Sequence, residues 1–202
     1  KNADWKWISA NLNKALCIFV LSQDFKNELI RRGIKSDIHL TSTKVPDYFI
    51  SGFDLSMRQG KAENIMYSGR IEKAKGVYET VDTFSILKSQ YKDLTLTFVG
   101  DGSELPMLKQ YVENKKIKDV RFTGELRGED FKKEYINADM YLFLSYTEGM
   151  PTVVLEAMIF GLPIFTRKVG GLIDYFENGK MGYISSSLDP AVFAEAMKPY
   201  IE

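Results

Sequence analysis

Met140-Tyr141-Leu142-Phe143-Leu144 is an unbroken apolar run. It leads into Ser145-Tyr146-Thr147-Glu148-Gly149-Met150-Pro151-Thr152-Val153-Val154-Leu155-Glu156-Ala157. A short continuous apolar run followed by turn residues reads as a strand buried on both faces, as in a parallel sheet. Pro151 suits the start of a helix, where its missing N–H is no loss. That helix is expected over residues 152–160, closed by Gly161 and then Pro163. Strand, glycine-containing loop and helix together make the repeating unit of an α/β fold.

The unit recurs on both sides of this stretch. Upstream, strands are expected at 65–68, 94–99 and 120–123, each stopped by a glycine: Gly69, Gly100 and Gly124. Between them, 76–90 reads as a helix with Val77, Val81, Phe84 and Leu87 on one stripe. Residues 104–115 and 129–138 read as two more. Downstream, 163–166 reads as a strand, and Asp189 caps a last helix with Pro190 at its first position. Short links between alternating elements imply a Rossmann-like parallel sheet with helices on both faces. Ligands of such sheets bind at the carboxyl ends of the strands, where Gly69, Gly100, Gly102, Gly124 and Gly149 collect. The first 55 or so residues follow a similar pattern: helix 2–14, strand 17–21, helix 23–32 ending at Gly33, and strand 37–41. Residues 44–60, with Pro46, Gly52 and Gly60, read as a linker.

Composition narrows the chemistry. In 202 residues, 27 lysines and arginines balance 27 aspartates and glutamates, so bulk charge points to no nucleic-acid partner. The one cysteine, Cys17, lies in the run Cys17-Ile18-Phe19-Val20-Leu21 and reads as a buried strand residue. With one cysteine and one histidine, His39, a disulfide and a thiolate–imidazole metal site are both out of reach. His39 reads as structural or surface. No stretch approaches the ~20 apolar residues of a membrane span. The chain therefore reads as a cytoplasmic domain from within a longer protein.

Two loops carry candidate chemistry. In 148–157 the first-turn N–H groups of the helix, such as those of Thr152 and Val153, lack intrahelical acceptors. With the helix dipole they form an anion site, which Gly149 leaves open to close approach. Glu156 sits between Leu155 and Ala157, and a carboxylate there suits the paired hydroxyls of a diol. The plain alternative is a solvated helix face. Glu148 is within reach of a ligand on the helix terminus. In Gly69-Arg70-Ile71-Glu72-Lys73-Ala74-Lys75-Gly76, Arg70 offers a fork and Lys75 a point charge to a diphosphate, while Lys73 reads as exposed.

Taken together these pieces resemble the glycosyltransferase group 1 family, retaining enzymes of the GT-B fold. Glu148 to Glu156 matches its E-x7-E element, and Gly69-Arg70 with Lys75-Gly76 matches its phosphate clamp. Val99-Gly100-Asp101-Gly102, Phe122-Thr123-Gly124, and Ala138-Asp139 followed by Ser145 match further strand ends in order, over roughly residues 62–200. The resemblance implies a donor-binding domain at 56–202. Residues 1–55 would be the tail of an N-terminal acceptor domain and the interdomain linker.

The resemblance also implies roles. Arg70 and Lys75 would hold the diphosphate of a nucleotide sugar, and Glu156 the ribose. Glu148, with Gly149, Met150, Pro151 and Thr152, would address the sugar and its phosphate. Gly69, Gly100 and Gly124 would border the donor, the last near the base. The nucleotide sugar would be a co-substrate, with no cofactor and no metal. A glycan or lipid-linked acceptor would bind through the N-terminal domain, and the full-length protein would associate peripherally with the inner membrane face. Met150 stands where the family commonly has phenylalanine, and Asp174 where a glutamate is common. A nucleotide-sugar 2-epimerase of the same architecture and a non-catalytic partner subunit are the alternatives.

Overall fold

The computed structural model describes residues 2–58 and 61–202. Lys1, Gln59 and Gly60, the last closing the expected linker, lie outside the described residues. In chain order the first elements are α1 (Asn2–Leu12), β1 (Cys17–Val20), α2 (Gln23–Arg31) and β2 (Asp37–Leu40). Next come β3 (Asn64–Ser68), α3 (Val77–Gln90), β4 (Thr95–Val99), α4 (Leu105–Asn114) and β5 (Val120–Phe122). The last are α5 (Gly128–Asn137), β6 (Met140–Phe143), α6 (Thr152–Ile159), β7 (Ile164–Arg167), β8 (Gly182–Ser185) and α7 (Pro190–Ile201). Among the described residues no helix is long and apolar enough to cross a membrane.

The main sheet has six strands in the order β5-β4-β3-β6-β7-β8, all parallel. Strand order reverses between β3 and β6, and the crevice above such a switch point is where doubly wound sheets bind ligands. β6 is buried along its whole length, as its unbroken apolar run requires. Its Met140 and Tyr141 pair with Ile65 and Met66 of β3 on one side, and Tyr141 to Phe143 pair with Ile164 to Thr166 of β7 on the other. Right-handed crossovers put helices on opposite faces when the order reverses. α3 packs on α4 and α7 in one layer, and α5 and α6 pack on β3, β6 and β7 in the other. β8 is an edge strand that the sequence reading did not place. Gly182-Tyr183-Ile184-Ser185 holds only one buried apolar side chain, Ile184, so its apolar pattern is faint.

The first segment builds a separate small core of Val20, Leu29, Ile34 and Ile38 beside a two-stranded parallel sheet. Cys17 corrects the sequence expectation: it is exposed. In a two-stranded sheet each strand has one neighbour, and of β1 only Val20 is buried. His39 is exposed and lies 5.7 Å, ring to ring, from Phe19. Asp174, at the end of a 3-10 turn over Gly170–Asp174, accepts the Gln23 N–H at 2.7 Å. That bond joins the start of α2 to the larger unit.

Residues 47–58 are packed rather than loose. Phe49 and Phe53 stand edge-on to Phe160, and Phe49 also meets Tyr135 and Phe131 of α5. Arg58 donates Nε to Phe160 O, Nη1 to Ala138 O, and Nη2 to Tyr135 O at 2.8 Å. A single guanidinium thus satisfies orphan carbonyls at the C-terminal ends of both α5 and α6. Lys132 Nζ donates to Ser51 O.

Two substitutions test these contacts. Arg58→Ala strands three carbonyls of two helix ends and is expected to destabilise the chain by ~2–3 kcal/mol in urea denaturation; an unchanged midpoint would refute the clamp. Gly76 has φ +67°, and a Cβ there would stand 2.0 Å from Leu144 O. Gly76→Ala is therefore expected to lower stability by roughly 2 kcal/mol or more in the same assay.

Candidate functional site

Three loops meet above the switch point. β3 runs into Gly69-Arg70, followed by a 3-10 turn over Lys73–Lys75 that ends at Gly76. Gly76 leaves no gap between this loop and the backbone of Leu144. Ala74 O accepts the Tyr146 N–H at 3.0 Å, and Ser145 Oγ lies 3.3 Å from the same carbonyl. The loop after β3 and the loop after β6, distant in sequence, are thereby held as one wall.

Along the other side the strand ends are joined glycine to glycine. Gly69 N–H donates to Val99 O at 3.0 Å, and Gly100 N–H to Gly124 O at 2.8 Å. A Cβ on Gly100 would stand 2.0 Å from Gly69 O, and one on Gly102 2.4 Å from Ile71 O. Close backbone approach fixes these two glycines. Gly124 has open space beside it, and the side chains following it, Glu125 and Leu126, reach a cavity wall.

The wall encloses a cavity of about 260 Å³ lined by Gly69, Arg70, Lys75, Glu148, Met150, Pro151, Thr152 and Val153, among others. Most of the residues singled out from the two sequence motifs therefore share one space. α6 begins at Thr152, with Pro151 in the capping position at ψ 99°. Val154 N–H turns back to Pro151 O at 3.0 Å, so the helix opens toward the cavity with its first N–H groups foremost. An adjoining cavity of about 360 Å³ is lined by Gly69, Arg70, Gly100, Asp101, Glu125, Leu126, Phe131 and Val153, among others. Gly69, Arg70 and Val153 are common to the two.

The charged side chains are partnered. Lys75 Nζ donates to Glu148 Oε1 at 2.6 Å, with side chains only 16% and 12% exposed. Ser145 Oγ donates to the same oxygen at 2.7 Å. Two donors share Oε1, so Glu148 is held by one oxygen. Arg70 is the outlier: its side chain is 69% exposed and pairs with Glu72 at 2.7 Å. Both cations have carboxylate partners. Lys73 is exposed.

Glu156 lines neither cavity. It stands one helical turn below Thr152 and is partly buried, so the solvated-face reading fails. Its Oε2 accepts the Tyr135 hydroxyl at 2.8 Å. Burial pushes its carboxyl above the ordinary range, and the Tyr135 hydrogen bond pulls the other way. Gly149 is held by Gly171, whose N–H donates to Gly149 O at 2.8 Å. A Cβ on Gly170 would stand 2.2 Å from that same oxygen. Asp174 serves Gln23, at the start of α2, and not the cavity.

Sequence reasoning missed several side chains here. Ser145 appears in it only as a marker of the strand end, although it anchors Glu148. Phe131 and Tyr135 lie in 129–138, read only as a helix, and Tyr135 is the partner of Glu156. Arg167, at the end of β7, lies 4.5 Å over the Tyr146 ring and adds a third cation near the loop. Nothing in local sequence distinguishes these from ordinary core or strand-end residues, because each acts across an element boundary.

Residues 56–202 match the family model described as glycosyl transferases group 1. The glycogen synthase of Mycobacterium tuberculosis is 30% identical over 146 residues, covering 72% of this chain and 35% of that protein. The putative teichuronic acid biosynthesis glycosyltransferase TuaC of Bacillus subtilis is 32% identical over 111 residues, covering 55% of this chain and 26% of that one. The chain thus spans about a third or less of these relatives. A crystal structure of TarM superimposes with a TM-score of 0.85 at 19% identity, over 100% of this chain and 39% of that one. A TarM structure from S. aureus contains UDP. The fold is that of GT-B glycosyltransferases, and by the match over residues 56–202 the chain belongs to the group 1 glycosyl transferase family.

Proposed function

We propose that this chain holds the donor, a nucleoside diphosphate sugar, for a retaining hexosyl transfer to a glycan or lipid-linked acceptor. The observation that carries this reading is the single cavity that gathers Arg70, Lys75, Glu148 and the N-terminal turn of α6. A diphosphate suits that space. Lys75 supplies a point charge, Arg70 a mobile fork, and the α6 terminus a set of N–H donors. The nucleoside then occupies the adjoining cavity past Gly100 and Glu125, with the ribose over Val153, on the face of α6 that also carries Glu156 one turn on. Glu148 and the backbone from Gly149 to Thr152 face the sugar. The UDP in the TarM structure supports a nucleotide of this class.

The chemistry follows from charge. As the bond between the anomeric carbon and the phosphate oxygen breaks, negative charge grows on the diphosphate. Preorganised cations and a helix terminus stabilise that charge more than they stabilise the ground state. The acceptor oxygen attacks from the face the diphosphate leaves, and its proton passes to a phosphate oxygen, so configuration is kept. Glu148, held through Oε1 by Lys75 and Ser145, positions the sugar, and attack from the leaving face needs no protein nucleophile. Lys75, Arg70 and the α6 terminus meet the phosphate charge, and the reading needs no metal. An acceptor-binding part outside this chain, at the cytoplasmic membrane face, completes the enzyme.

Calorimetric titration of the 202-residue chain with UDP, GDP and ADP is expected to show binding of at least one. Lys75→Ala and Glu156→Ala should each weaken the best ligand by more than ~1 kcal/mol, the scale of a charged hydrogen bond. No binding to a folded chain would contradict the reading.

Glu156→Gln separates binding from stability. A carboxyl whose folded-state pKa is raised binds its proton more readily folded than unfolded. Stability therefore rises as pH falls through that pKa, and above it the buried charge is destabilising. The neutral amide removes that penalty. Its melting temperature near pH 8 should equal or exceed that of the unaltered chain, while nucleotide affinity falls. In the unaltered chain, affinity should decline with acidification from a pH above the ordinary glutamate range. A pH-independent affinity would contradict the assignment.

A further inference from the structure

Beneath the proposed ribose site runs a chain of hydroxyls that the donor-site reading does not use. Tyr135 and Tyr141 are fully buried, and so is Ser68, the last residue of β3. Tyr141 OH lies 2.8 Å from Ser68 Oγ, Ser68 Oγ lies 2.8 Å from Tyr135 OH, and Tyr135 OH lies 2.8 Å from Glu156 Oε2. Tyr141 OH also reaches Ser68 O at 3.2 Å, and Tyr135 OH reaches Val153 O at 3.3 Å. Three elements, β3, α5 and β6, thus converge on one oxygen of a carboxylate carried by a fourth, α6.

The chain has a direction. An ionised carboxylate only accepts, so the Tyr135 proton points at Glu156. Tyr135 oxygen then accepts from Ser68, whose oxygen accepts from Tyr141. Burial pushes both phenols well above their ordinary range, so both keep their protons at neutral pH. Each donor is polarised by the next, which strengthens the last bond in the series in a low-dielectric core. The ring of Tyr135 is itself locked, stacked on Phe160 at 5.4 Å and edge-on to Phe131 at 5.1 Å. Its hydroxyl cannot follow Glu156 if that side chain turns away.

We propose that Tyr135 is the positioning residue for Glu156: it grips Oε2 from the core so that Oε1 is presented to the ribose hydroxyls, and Ser68 and Tyr141 hold Tyr135 to that task. This rests on the donor-site reading above. The hydroxyl relay makes the site selective for ribonucleotides over nucleotides lacking a 2′- or 3′-hydroxyl, because a carboxylate fixed in one rotamer rewards a diol at one place. Tyr135 touches no substrate atom, and its effect passes through Glu156.

The test compares the tightest-binding nucleoside diphosphate with its 2′-deoxy and 3′-deoxy analogues, by calorimetry on the 202-residue chain. The unaltered chain should bind the ribonucleotide at least ~10-fold more tightly than either analogue, the scale of one charged hydrogen bond. Tyr135→Phe should lose about fivefold or more for the ribonucleotide and little for the analogues, collapsing the ratio. Ser68→Ala, one bond further back, should lower the ratio less, and it serves if Tyr135→Phe does not fold. Tyr91→Phe, which removes a hydroxyl bonded to Glu202 after the end of α7, should leave the ratio unchanged. Equal losses for all three ligands in Tyr135→Phe and Ser68→Ala would reduce Tyr135 to a core residue and overturn the proposal, as would an unchanged ratio. No ribo/deoxy preference in the unaltered chain, or no nucleotide binding, would instead remove the donor-site reading on which the proposal stands.

Discussion

The contact on which the site depends is the seam between Gly76 and Leu144. Its closeness leaves room for no side chain at position 76. It brings the loop after β3 against the loop after β6 at the point where strand order reverses. Once that seam is closed, Ala74 O accepts the Tyr146 N–H, and Lys75 falls within reach of Glu148. Neither motif can form the cavity alone. A parallel sheet supplies the crevice as a matter of topology, and a glycine at one position decides how tightly it closes.

The site is arranged so that its charges are satisfied before any ligand arrives. Each acidic residue of the E-x7-E element is held through one oxygen by a partner below it. Glu148 is held through Oε1 by Lys75 and Ser145, and Glu156 through Oε2 by Tyr135. A partly buried lysine and glutamate without partners would be strongly destabilising, whereas the pair is tolerated. Arg70 is exposed and tied only to Glu72. Exposed pairs contribute little, which leaves it free to swing toward either of the two cavities it lines. The linker supports this from behind. Arg58 and the Phe49–Phe53 pair bind the C-terminal ends of α5 and α6, the helices that carry Tyr135 and Glu156.

Much of this was legible in the sequence because the informative signals are local. The apolar run at Met140, the glycine stops and the Pro151 and Gly161 boundaries each follow from backbone chemistry within a few residues. Residues acting across elements were not legible. Tyr135 occupies an apolar helical stripe and reads as core, which it also is; that its hydroxyl reaches Glu156 depends on how α5 and α6 pack. The Lys75–Glu148 pair spans separate loops, and no spacing rule connects them. Cys17 misled for a related reason. An apolar strand pattern promises burial only when neighbours cover both faces, and β1 has one neighbouring strand. β8 was missed because it is short and at the edge, with one buried apolar residue.

The central claim is that the seam at Gly76 and Leu144 builds a diphosphate site from Lys75, Glu148 and the start of α6. A crystal structure of the chain with the nucleoside diphosphate it binds best tests it most directly. The account predicts phosphate oxygens at Lys75 Nζ, N–H groups of Thr152 and Val153 directed at the same phosphate, and ribose hydroxyls at Glu156. A nucleotide bound elsewhere, with the Lys75–Glu148 pair intact, would contradict it.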